Sequence, residues 1–191
     1  MTYDTRDVDL DARSGVFVEG ELFPFYEADN NEFALRTTLE GRTYFTPASL
    51  GDVTLAGRAR IGSITGITIP DAPPQLLFFS GGGGSVRGFS FLSNGVTLDN
   101  GDIVGGRSLL EFSGEVRTRI SETIGIVGFL DAGLVGADTL PDFEEEFEVG
   151  IGAGLRIATG LGPLRFDVAR GLDLEDDDPE ITFFIGIGQS F

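Results

Sequence analysis

From Gly15 onward, apolar and polar residues alternate with period two. Val16, Val18, Gly20 and Leu22 fall on one face, and Phe17, Glu19, Glu21 and Phe23 on the other, which is the pattern of a strand lying between two environments. After the turn Glu27-Ala28-Asp29-Asn30-Asn31, the odd positions from Phe33 to Phe45 are mostly apolar or small, while Arg36, Glu40 and Arg42 lie on the even face. Val53 to Ser63 places Val53, Leu55, Gly57, Ala59 and Ile61 against Arg58 and Arg60. The alternation is clearest from Arg107 to Ile120. There Leu110, Phe112, Val116 and Ile120 share one side, and Glu111, Glu115, Arg117 and Arg119 the other. Ile124 to Gly133 continues it, with Phe129 and Asp131 on a common face, and Phe147 to Ala158, Leu164 to Arg170 and Ile181 to Phe191 follow. The expectation is eight strands and no helix, with Tyr3 to Arg6 as the frayed end of a preceding strand.

Strands of this length suit a tilted bilayer crossing, which takes about 9–11 residues. In a soluble sandwich or barrel the apolar faces would point inward. In a transmembrane barrel they point to lipid, and the charges line the lumen. Turns that alternate between short and long, and apolar faces that mix small with bulky residues, favour the membrane. So does a last strand whose Phe183, Ile185, Ile187 and Phe191 would share one face and end on an aromatic, the kind of terminus that serves as a barrel-assembly signal. The fold class expected is therefore all-β, a single antiparallel transmembrane β-barrel domain over residues 1–191, with a soluble all-β domain as the alternative.

Composition narrows the function. The chain has no cysteine and no histidine, and all 13 of its cationic side chains are arginine. Disulfides, thiol chemistry, zinc sites of the usual kind and a Ser-His-Asp hydrolase are thereby set aside, and no catalytic residue, metal or cofactor is expected. A net charge of −18 argues against a nucleic-acid partner, which needs a basic face. No apolar run is long enough for a membrane-spanning helix, and the N-terminus lacks the apolar segment of a signal peptide.

The longest connection, about 64–106, holds the prolines Pro70, Pro73 and Pro74 and then Ser80-Gly81-Gly82-Gly83-Gly84-Ser85-Val86-Arg87-Gly88-Phe89. Four successive glycines have no side chains to pack, so this backbone either moves freely at the surface or lies close against something else. A loop of this length within a compact domain is usually functional or disordered. Glu115 and Asp131 both face the charged side on strands joined by a short turn, where two carboxylates repel. A buried guanidinium between them would offset that repulsion and could lie flat on Phe129. The acidic run Asp173 to Asp178 could ligate calcium, but it lacks the spaced glycine of an EF-hand loop and reads better as a solvated charge run.

Five segments, in order, resemble the C-terminal barrel half of the outer-membrane insertase and translocator superfamily that includes BamA and TamA. They are Gly81 to Phe89, Gly105-Gly106 opening the strand that bears Glu115, Phe129 to Gly133, Gly162 to Asp167, and Ile187 to Phe191. In detail they are more similar to the TamA branch. The resemblance implies a bacterial outer-membrane location, contact with the lipid bilayer, and assembly or translocation of barrel or autotransporter clients. It also implies a TamB-like inner-membrane partner acting through further domains. A loop motif of Gly81, Gly82, Ser85, Val86, Arg87, Gly88 and Phe89 would fold into the lumen, with Arg87 against Asp131 and Phe129 and with Glu115 nearby.

The departures are that family barrels have sixteen strands and carry POTRA domains, whereas eight strands and no POTRA domain are read here. Side chains alone just fill an eight-stranded interior, with no room for the loop, so either the other half of the barrel is absent and the loop lies outside or at the mouth, or two copies combine as a homodimer, or the chain is an excised portion that does not work alone. Gly186 and Gly188 would weaken pairing of the last strand at an openable seam, or equally serve barrel curvature. A two-partner-secretion pore and a structural barrel without transport activity are the other functional readings.

Overall fold

A computed structural model describes residues 1–143, 146–172 and 181–191. The acidic run Asp173 to Asp178 thus lies outside the described residues. The alternating segments form β1 (Thr2–Asp4), β2 (Gly15–Glu27), β3 (Glu32–Phe45), β4 (Val53–Thr65), β7 (Ser108–Arg119), β8 (Ile124–Gly136), β9 (Glu148–Ile157), β10 (Leu164–Gly171) and β11 (Thr182–Ile187). They pair antiparallel in the order β1-β2-β3-β4-β7-β8-β9-β10-β11. Between β4 and β7, the short hairpin of β5 (Val96–Thr97) and β6 (Ile103–Val104) stands apart as a second sheet. The eight expected strands are therefore present, and the frayed N-terminal strand is β1, which covers only Phe17 to Glu19 of β2.

The sheet curls into an antiparallel barrel wall whose ends meet beyond the strands. The Gln189 N–H donates to the Leu10 carbonyl at 3.0 Å, and the Gln189 amide donates to Asp11 at 2.9 Å. Connections 46–52, 120–123 and 158–163 lie at one end of the barrel, and the long connection 66–107 opens at the other. The period-two pattern sorts the faces as expected. Leu39, Leu55, Phe112, Val116, Leu130, Ile151 and Phe183 are exposed on the outer face, whereas Arg58, Glu111, Glu115, Arg117, Asp131, Arg156 and Asp167 are buried inside.

The interior is layered. Ala34, Ile64, Ile67, Ala72, Leu77, Phe78 and Leu109 form an apolar plug on the side of the long connection. Ala12, Tyr44, Ala56 and Phe191 form another toward the short turns. The charged side chains lie between these two plugs, away from bulk water, where each must find partners.

Phe191 corrects one expectation. Phe183, Ile185 and Ile187 point outward, at 73%, 76% and 61% exposure, but Phe191 is 8% exposed and faces inward. The strand ends at Ile187 because Gly188 takes φ +87°, a conformation that reverses the chain at little cost only for glycine. The remaining residues turn under the barrel wall, and the Phe191 ring reaches Tyr44, 6.4 Å between centroids. The four residues do not share a face.

Candidate functional site: an arginine locked in the barrel interior

The glycine-rich loop is held by its own backbone before any side chain acts. Phe78 and Gly106 exchange two backbone hydrogen bonds of 2.9 and 2.8 Å, and Ser80 and Asn94 exchange two of 3.0 and 3.1 Å. These pairs lead the chain inward and back. At the apex, the Gly82 N–H donates to the Val86 carbonyl and the Ser85 N–H to the Gly82 carbonyl, both at 3.1 Å, closing a tight turn. Gly88 then takes φ +112°, with its α-carbon so close to β10 that an added Cβ would stand 2.7 Å from the Arg170 carbonyl carbon. No side chain fits there.

That path delivers Arg87 to the charged layer with no solvent exposure. Its Nε and Nη2 donate to Asp131 as a fork, at 2.6 and 2.9 Å, and its backbone N–H donates to the same carboxylate at 3.1 Å. Nη1 donates to Glu115 at 2.6 Å and to Asp167 at 3.3 Å. The guanidinium carbon lies 3.4 Å from the centroid of the Phe129 ring, so the cation is stacked as well as paired. Three strands, β7, β8 and β10, contribute the three carboxylates. In the register of β7 and β8, Glu115 stands opposite Phe129 and Asp131 opposite Ser113, so the two acids are diagonal rather than face to face. Their remaining oxygens are also engaged, Glu115 by Arg117 Nε at 2.7 Å and Asp167 by Arg156 Nη1 at 2.5 Å. A buried ion pair stabilises only when geometry and additional hydrogen bonds offset desolvation, and both conditions hold here.

The structure brings Arg87, Glu115, Phe129 and Asp131 together. Val86 and Phe89 are buried beside them, and Ser85 donates to Glu111. Sequence reasoning left out Asp167, although its strand alternates Phe166 and Val168 outward, and that parity puts an acid inside. It also left out a second clamp, in which Glu111 accepts from Arg58 at 2.9 Å, Arg58 pairs with Glu40 at 3.2 Å, and Arg58 Nη1 donates to the Gly84 carbonyl at 3.2 Å. The loop is thus tied to the β3–β4–β7 side as well as to β8 and β10. Of Phe183, Ile185, Ile187 and Phe191, the last comes near, its carbonyl accepting from Arg117 Nη2 at 3.1 Å, and its neighbour Ser190 donates to the Gly83 carbonyl of the loop at 3.3 Å.

The expectation that the loop would be excluded from an eight-stranded interior is overturned, and the physical reason is wall composition. Side chains just fill such a barrel when the inward positions carry them, but here the wall facing the loop is glycine. An added Cβ at Gly150 would collide with the Arg87 carbonyl, one at Gly133 with Val86, one at Gly152 with the Phe129 ring, and one at Gly154 with Asp167. The loop occupies the space that Gly133 and Gly150 leave open, and Gly152 and Gly154 make room for the Phe129 ring and the Asp167 carboxylate that Arg87 meets.

The Omp85 superfamily domain matches residues 1–191. The chain belongs to the Omp85 superfamily. Among solved structures, this Omp85 chain is similar in fold to BamA from Haemophilus ducreyi lacking POTRA domains 1-3, with a TM-score of 0.73 and 21% identity. The match covers 95% of this chain and 40% of that one. The Omp85 chain therefore spans well under half the length of the BamA chain it resembles.

Proposed function

We propose that this chain forms part of an outer-membrane machine that inserts or translocates β-barrel clients, with the bilayer and the client chains as its partners. The observation that carries this reading is the Arg87 lock, a loop held inside a barrel by three carboxylates and an aromatic face. Membership of the Omp85 superfamily supports the general role, and the likeness to BamA supports the barrel on which it would operate. No covalent step is needed. The outer belt of exposed apolar side chains suits lipid contact, and β11, paired on one side only to β10, presents an edge to which a client strand could add. The finer assignment, autotransporter assembly with a TamB-like partner, rests on the detailed motif resemblance. The same reading extends to a homodimer in which two copies share one larger barrel.

The test is client assembly in the full-length context. Arg87→Ala should abolish assembly while leaving heat-modifiable strands folded, and wild-type activity in that variant would remove the basis of the proposal. A two-partner-secretion pore would instead show ion conductance and dependence on one secreted partner.

A further inference from the structure

Beside the apolar plug at the long-connection end, the proline-bearing limb of that connection and the β5–β6 hairpin enclose a cleft of about 750 Å³. Ligand-binding clefts measure about 300–1,000 Å³. Its walls are fixed by backbone contacts. In the limb, the Ala72 N–H donates to the Thr68 carbonyl at 3.0 Å and the Leu76 N–H to the Pro73 carbonyl at 2.9 Å. The hairpin is closed by the Leu98 N–H on the Asp102 carbonyl and the Gly101 N–H on the Leu98 carbonyl, at 2.9 and 2.8 Å. Just after β6, an added Cβ at Gly105 would stand 2.5 Å from the Leu77 Cβ, so the hairpin base lies directly against the limb. The lining is mainly apolar. Ala72 and Leu77 belong to the plug and are buried, whereas Leu98 and Ile103 are 41% and 51% exposed. Exposed apolar side chains grouped at a concave site mark an interaction surface, unlike those scattered singly.

The charge around this cleft is one-sided. Arg107 and Asp138 are the charged side chains of the lining. Arg107 is committed to the wall, donating from Nε to the Ala137 carbonyl at 2.9 Å and from Nη1 to the Ile67 carbonyl at 3.0 Å. Its Nη2 stays 3.5 Å from Asp138, whose side chain is 87% exposed. Three more acids adjoin lining residues in the chain, Asp71 between Pro70 and Ala72, Asp99 after Leu98, and Asp102 before Ile103. Asp71 accepts from Asn30 and Thr68, and Asp102 from Asn100, all neutral groups that leave the carboxylate charge uncancelled. The connection 66–107 has one other cation, Arg87, and it is buried in the lock.

We propose that this cleft binds a cationic amphipathic peptide segment, with apolar side chains of the segment against Leu98, Ile103 and the plug, and its Lys or Arg side chains on Asp138 and the neighbouring acids. Apolar burial supplies the affinity, and the complementary charge speeds encounter and sets the sign of the partner. An acidic segment or an anionic headgroup is repelled by the same carboxylates. Prolines at 70, 73 and 74 hold the limb in place before binding, so little ordering is left to oppose it. This site does not depend on the transport reading.

The experiment uses the whole chain folded in an uncharged detergent and follows the fluorescence anisotropy of two labelled, end-capped peptides of equal charge. One has two leucines flanked by arginines, the other two serines flanked by arginines, and empty micelles set the baseline. The leucine peptide should bind about tenfold or more tightly than its serine twin. Leu98→Ser combined with Ile103→Ser should remove most of that preference without changing the affinity for the serine peptide. Both side chains are exposed, and heat-modifiable mobility verifies that the barrel is folded. Asp138→Asn should weaken the leucine peptide about twofold to fivefold at low salt, and less at high salt. Equal affinities for the two peptides, an undiminished preference in the Leu98→Ser, Ile103→Ser chain, or no loss in Asp138→Asn each overturn the site.

Discussion

Asp131 and Gly150 are partners across the β8–β9 ladder, and each gives the loop something the other cannot. Asp131 supplies the carboxylate that the Arg87 fork grips, and Gly150 supplies the empty wall into which the Arg87 carbonyl fits. Charge and space are thus adjacent on one rung. Gly150→Val should expel the loop through steric overlap with backbone that has nowhere to move, with destabilisation of about 1–3 kcal/mol or more. Limited proteolysis should show cleavage near Gly82 to Ser85 in the variant and protection in the wild type, while heat-modifiable mobility persists.

Removing Arg87 leaves three buried carboxylates with fewer cations to share. Arg87→Ala should cost about 3–5 kcal/mol, and the cost should shrink when Asp131→Asn is added, because the second change removes one of the repelling charges. A double-mutant cycle in denaturant measures the coupling. Purely additive effects would mean that the pair does not interact.

Glu111 holds the other side of the loop by accepting from both Ser85 and Arg58. Glu111→Gln keeps the shape but leaves the Arg58 charge with Glu40 alone. It should loosen the apex around Gly84 without releasing Arg87. Hydrogen exchange should speed up at Gly82 to Ser85 and stay slow at Arg87.

Phe191 fills the short-turn plug between Ala12, Tyr44 and Ala56. Phe191→Ala should destabilise by about 3 kcal/mol, as expected for truncating a buried ring. The equivalent change at Ile185, on the exposed outer face, should leave stability in detergent within about 0.5 kcal/mol. Urea titration of the two variants distinguishes an interior ring from an outward one.

The connection from Thr5 to Ser14 is stapled by Asp7. Burial works against ionisation of this carboxyl, but the backbone N–H groups of Arg13, Ser14 and Val8, at 2.9, 3.2 and 3.0 Å, outweigh it and hold Asp7 below the usual carboxylate range. A depressed folded-state value means that the stabilisation is complete above the ordinary carboxylate pKa of about 4 and disappears as pH falls through the lower folded value. Protease protection of this connection should therefore be full at pH 6 and decline in acid. Asp7→Asn should flatten that profile.

Strand positions and the two faces of each strand were legible in the residues, because period two is a local property of extended backbone. The alternation of Phe112, Gly114 and Val116 with Ser113, Glu115 and Arg117 needs no partner strand to be read. Asp167 could have been found by the same parity, since Phe166 and Val168 bracket it with outward apolar side chains. The pairing of Arg87 with Asp131 and Phe129 was reached through resemblance, and in the structure the guanidinium contacts both. The room for the loop was not legible. Glycine in a strand is equally consistent with curvature, a bulge or close approach, and only the curled sheet shows that Gly133 and Gly150 face the loop.

The sequence by itself thus determined the antiparallel strands and the separation of an apolar face from a charged face along each of them. Tertiary structure alone decided that Asp167 completes the cage, that Glu111 and Arg58 form a second clamp, and that Phe191 turns inward at Gly188. Those outcomes depend on which strands become neighbours, in what register, and how tightly the sheet curls. They are sums over residues up to 178 positions apart, as between Asp11 and Gln189, and no local pattern encodes them.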